Sequence, residues 1–150
     1  MQHRLLGMSV IVAVGALGTG VAAGGAVTTE AVHGGRPLHA TLLPQNQSPP
    51  TASNGSGTAL VTLNQGQGEV CWDISVTQLT SPVILAHIHQ GAAGVNGPVV
   101  VDFMEPANGL NGCVSADAGL IKQIRRHPAD YYVNVHTTMF PAGEVRGQLG

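Results

Sequence analysis

The run Glu69–Leu79 constrains this chain more than any other stretch. Val70, Trp72, Ile74 and Val76 alternate there with Cys71, Asp73, Ser75 and Thr77. On an extended strand successive side chains point to opposite faces, so this spacing gives one apolar face and one mainly polar face. A helix, repeating every ~3.6 residues, would scatter the same apolar groups around its circumference. A half-buried strand needs neighbours along its edges and a second layer over its apolar face. Further strands are expected at Leu38–Leu43, Thr58–Asn64, Val83–His89, Pro98–Phe103, Cys113–Val114, Tyr131–His136 and Glu144–Leu149, with glycine- and proline-bearing turns between them. Pro44–Gly57, Gly91–Gly97 and Glu105–Gly112 read as loops. Only Ala116–Arg126 shows helical spacing, with Leu120, Ile121 and Ile124 on one face, Ser115 or Asp117 as cap, and Arg125 and Arg126 at the end that favours cations. The expected fold is all-β: an antiparallel, Greek-key-like sandwich or barrel of seven or eight strands with one short helix.

The first residues follow a different logic. Met1–Arg4 is short and basic, Leu5–Leu17 is apolar, and small residues follow through Val21–Ala26. That order predicts a signal peptide over residues 1–26, cleaved near Ala23 or Ala26, with an uncleaved anchor as the competing interpretation. A lead-in without periodicity then spans residues 27–37, and the folded domain spans residues 38–150. The protein is accordingly expected to be secreted or otherwise extracytoplasmic, with no membrane insertion of the mature domain.

Removing Arg4 leaves five basic residues against eight acidic ones, and Lys122 is the single lysine of the chain. A phosphate backbone has to be met by a basic stripe, so nucleic acid is excluded as a partner. Anionic membrane surfaces are excluded on the same ground. Cys71 and Cys113 are the two cysteines. In an oxidising compartment such a pair reads as a disulfide, two free buried thiols being the alternative.

The chemistry with the clearest spacing is His87-Ile88-His89. On a strand, residues i and i+2 share a face with their Cα atoms ~6.6 Å apart, so two imidazoles can converge on one ion. His136, near the end of a later strand, shares its face with Tyr132 and Asn134 and supplies a third. Imidazole sites suit copper or zinc better than magnesium or calcium. The blander alternative is that these histidines donate to loop carbonyls and fix Gly91–Gly97, or sit at a solvated rim. Met139 is either a soft copper ligand or a packing residue. Glu144 and Arg146 share a face at i and i+2 and are expected to pair, within their strand or with a neighbour. No Gly-x-Ser-x-Gly elbow or paired carboxylates point to a hydrolase, and no catalytic residue is assigned.

Three segments together resemble the chordin-type (CHRD) domain family: Ala86–Val100, with its Ala-His-Ile-His and Gly-Pro-Val-Val ends, Tyr132–Thr137, and Pro141–Leu149. Leu38–Pro50 looks like a degraded form of the opening strand and its Pro-Pro loop. The resemblance spans Leu38 to Leu149 and implies a compact β fold and export. A Cys71–Cys113 bridge looks like a variant typical of the family's bacterial single-domain forms, and the composition, low in lysine and rich in Ala, Gly and Val, is in keeping with a bacterial source. It brings no established reaction, only matching positions: His87, His89, Asn134, His136, Glu144 and Arg146. The expected function is a binding or structural module for an unidentified protein or extracellular ligand, with a transition metal on the three histidines. The alternative is a copper-dependent redox enzyme of superoxide-dismutase type, with Arg146 steering an anion.

Overall fold

The computed structural model describes residues 35–103 and 110–150. Among the described residues eight strands form two four-stranded antiparallel sheets. The first holds β1 (Arg36–Leu42), β2 (Ser56–Asn64), β3 (Glu69–Thr77) and β6 (Asn111–Ser115), in the order β1-β2-β3-β6. The second holds β4 (Val83–Gln90), β5 (Val99–Asp102), β7 (Tyr131–Thr137) and β8 (Val145–Gln148), in the order β5-β4-β7-β8. The chain crosses to the second sheet after β3, returns as β6 beside β3, and crosses again to place β7 beside β4. These exchanges give the expected Greek-key-like sandwich.

The barrel alternative is not realised. One edge is seamed: His39 and Gly150 exchange backbone hydrogen bonds of 2.8 and 2.9 Å, and Leu43 and Arg146 exchange a second pair. β5 and β6, at the other edge, belong to separate sheets. The one α-helix among the described residues, α1 (Ala118–Arg126), packs over the end of the sandwich near β2 and β3 and inserts Ile121 and Ile124 into the core. Of the two caps considered, Asp117 serves, its carboxylate accepting from the Leu120 amide.

The inner faces bury the residues that alternation assigned to them: Leu38, Val61, Val70, Trp72 and Ile74 from one sheet, Ile88, Val101, Val133, Val135 and Val145 from the other. Trp72 stacks on Phe103 with ring centroids 4.5 Å apart. Gly112 faces Trp72 across β3 and β6, and a Cβ there would come within 2.9 Å of the indole. The expected loop Glu105–Gly112 therefore ends earlier, because Asn111 and Gly112 pair with β3 as part of β6. β1 likewise begins at Arg36, taking in two residues assigned to the lead-in. Residues 1–34, with the leader segment, lie outside the described residues.

Cys71 and Cys113 are direct partners on β3 and β6 and form the disulfide. Closing a loop of this separation, 42 residues, stabilises the fold by about 4 kcal/mol in the chain-entropy account. Among the described residues no helix is long and apolar enough to cross a membrane.

Candidate metal centre

The second sheet places the histidines by register. β4 pairs with β7 so that Leu85 faces His136, His87 faces Asn134, and His89 faces Tyr132. Residues opposite one another share a sheet face. Ala86, Ile88, Val133 and Val135 point into the core, so His87, His89, Tyr132, Asn134 and His136 all point outward. β5 adds Asp102 opposite His87, and β8 adds Arg146 opposite Asn134.

Apart from Asp102 at its edge, that outward face is covered. Every residue of β7 is buried. Loops roof the polar side. Gln47 donates to Asn134 Oδ1 at 2.6 Å, Arg146 donates to the Ala92 carbonyl at 2.9 Å, and Thr51 donates to the Glu144 carbonyl at 2.8 Å. Gly143 takes φ +122°, and a Cβ there would collide with Asn134 and Gln47. Only glycine fits so close under the roof.

His87, His89 and His136 each offer a ring nitrogen, and these lie within 4.8 Å of one another. The nitrogen on the other side of each ring is engaged. His89 Nδ1 donates to the Gly97 carbonyl at 2.9 Å, and His136 Nδ1 donates to the Pro141 carbonyl at 3.0 Å. A carbonyl only accepts, so both rings carry their proton on Nδ1 and keep a lone pair on Nε2. His87 Nε2 stands 3.6 Å from Asp102 Oδ1, and His87 Nδ1 stands 3.2 Å from His136 Nε2.

Two proton placements on His87 follow. With the proton on Nδ1, His87 donates to His136, and its Nε2 lone pair faces the Asp102 carboxylate. With the proton on Nε2, drawn by that carboxylate, lone pairs of His87 and His136 face each other. A cation between them relieves that repulsion. Two nitrogens each ~2.0–2.1 Å from a tetrahedral ion stand ~3.4 Å apart, near the separation found here. In either placement His89 Nε2 remains buried without a hydrogen-bond partner. Such orphaned nitrogens are rare in folded proteins.

Burial is the largest influence on all three rings and lowers each pKa below 6.5. Asp102, the Gly97 carbonyl and the Pro141 carbonyl partly restore His87, His89 and His136 respectively. The imidazoles are therefore neutral near neutral pH, the form that binds metal.

The expected Glu144–Arg146 pair does not form. Both are almost fully buried, at 0% and 1% exposed, but they turn to opposite ends of the sheet. Glu144 accepts from Ser53 Oγ, the Thr80 amide, Thr80 Oγ1 and Thr137 Oγ1, at 2.6 to 3.0 Å. Burial alone would raise its carboxyl; these donors outweigh that and hold it below its ordinary value. Arg146 lies over Tyr132, its guanidinium carbon 3.3 Å from the ring centroid. Tyr132 in turn stacks on His89, with centroids 4.9 Å apart. Arg146 thus clamps the 91–97 loop and stiffens the His89 ring rather than reaching solvent, which removes it as an anion guide.

Asp102 escaped the sequence reading for a specific reason. A bulge shifts the β4–β5 register between Ile88 and His89. Counting back from the hairpin would place Val101, not Asp102, beside His87. The blander expectation for the pair also proves partly correct, since His89 does fix the Gly91–Gly97 loop. His39 and His127 are exposed and stand apart from the cluster.

A family model described as the CHRD domain matches residues 38–149. Comparison with curated proteins and with solved structures finds no match.

Proposed function

The chain belongs to the CHRD-domain family, and we propose that it is an exported binding module that holds one transition-metal ion, copper or zinc, through His87, His89 and His136. One observation supports this above the others: His89 Nε2 is buried and unpartnered beside two further imidazole nitrogens. The outer contacts support it too. Asp102 and the carbonyls of Gly97 and Pro141 hold the far side of each ring, the arrangement that orients metal-binding histidines and raises their basicity. Three neutral ligands leave a fourth position for water or an added ligand.

Export rests on the basic–apolar–small order of residues 1–26 together with the Cys71–Cys113 bridge. The loops at 44–57 and 91–97 roof the histidine layer and are the surfaces offered to a protein or extracellular partner. An ion that orders the rings orders these loops with them. The redox-enzyme alternative uses the same three ligands but is deprived of Arg146 as a guide for anions.

Titration of the purified chain with Zn(II) and Cu(II), with metal analysis, tests the proposal. His87→Ala, His89→Ala and His136→Ala should each weaken binding about 100-fold or more, while His39→Ala leaves it unchanged. Absence of binding of either ion at micromolar concentration sinks the metal centre. Turnover of superoxide by the copper form would turn the module into an enzyme.

A further inference from the structure

Three residues beyond His136, Met139 sits in the turn that closes the metal layer. It is 68% exposed, well above the other exposed large apolar side chains, Val95 and Val99. Methionine ordinarily packs, so this exposure calls for a reason. Looseness of the turn is not the reason. The Met139 amide donates to Ser81 Oγ at 2.9 Å, the Thr138 amide to the Pro82 carbonyl, and the Gly143 amide to the Phe140 carbonyl. The thioether is held out on a pinned support.

Met139 also lines a cavity of about 440 Å³. His89 lines it as well, alongside the turn at 140–143 and the Pro49-Pro50 segment. His89 is 9% exposed, and its Nε2 is buried without a hydrogen-bond partner. No lysine, arginine, aspartate or glutamate is among the lining residues. An uncharged lining offers a divalent ion no opposite charge to offset whatever hydration it sheds. Copper(I) carries one charge and binds thioether and imidazole, and both donors line this cavity.

We propose that the ion reaching this site is copper(I), captured by the Met139 sulfur at the cavity mouth and passed inward to His89 and its neighbours. This rests on the three-histidine centre and adds the metal's identity and its path. The thioether is a transient ligand, so it sets the loading rate more than the final affinity. No change of oxidation state is involved; the ion exchanges one donor set for another.

Anaerobic stopped-flow mixing of the full chain with the copper(I)–bicinchoninate complex, followed by the loss of its absorbance, provides the test. Met139→Leu preserves volume and removes the sulfur. It should slow copper(I) transfer about tenfold, while the equilibrium Zn(II) affinity of the same variant stays at the wild-type value. Met139→His, which restores a donor at the mouth, should recover part of the rate. Copper(I) transfer to Met139→Leu at the wild-type rate overturns the capture role and leaves the histidine centre standing. Wild-type protein that binds neither copper(I) nor Zn(II) overturns both, and wild-type protein that takes Zn(II) but no copper(I) overturns this proposal alone.

Discussion

The two sheets share the same inner chemistry and differ completely outside. On the first sheet, β1 alternates between buried Leu38, Ala40 and Leu42 and exposed Arg36, His39 and Thr41. Thr58, Asp73 and Ser75 are exposed on its neighbours. That surface meets water and needs no partners. On the second sheet, β7 has the same alternation of residue types, yet all seven residues are buried. Its polar set is covered by loops, and almost every buried polar atom there finds a partner; His89 Nε2 does not. A polar layer under a roof costs desolvation unless its hydrogen bonds are complete. The same kind of pattern therefore builds a plain surface on one sheet and a covered polar layer on the other. What differs is the cover.

Breaking that contrast should be easiest at Glu144. Glu144→Ala strips the acceptor from three hydroxyls and one backbone amide, of which the Thr137 hydroxyl is fully buried. A loss of about 3 kcal/mol or more is expected in urea unfolding. A loss under ~1 kcal/mol would show that the roof is not held by this carboxylate.

Acid should reveal the layer next. His87, His89 and His136 have folded pKa values below 6.5, so the unfolded chain binds protons first as the pH falls. Their contribution is complete above the unfolded value and declines below it. Glu144 has a folded pKa below 4.5; its contribution is present above the unfolded value and is lost as pH falls through the folded one. Metal-free protein should thus lose stability progressively from neutral pH downward, with a second decline in the carboxylate range. Denaturation midpoints that stay flat between pH 7 and 5 would contradict neutral buried rings. The smallest effect belongs to the exposed sheet: Asp73→Ala should change stability by no more than about 0.5 kcal/mol.

The strands and their faces were legible because alternation is a local property. Val70, Trp72, Ile74 and Val76 announce one face without reference to anything else. The His87–His89 pair was legible for the same reason, and His136 through its own strand. The roof was not. Nothing in Gln47 says that it will donate to Asn134, because that contact depends on how the 44–55 segment folds back. Asp102 was hidden by a bulge, and the Glu144–Arg146 pairing failed because each side chain found nearer partners in loops remote in sequence. Local periodicity predicts faces; what comes to lie over a face is decided by the chain elsewhere.

The bridge between Cys71 and Cys113 joins the strand that leaves the first sheet to the strand that returns to it. Everything between belongs to one covalent ring, including His87, His89 and Asp102. His136 arrives from outside that ring. When the oxidised chain unfolds, two of the three histidines and the Asp102 carboxylate stay tethered as a unit, and only one imidazole must find its way back. Reduction turns the reassembly of the centre from a meeting of two pieces into a search along an open chain.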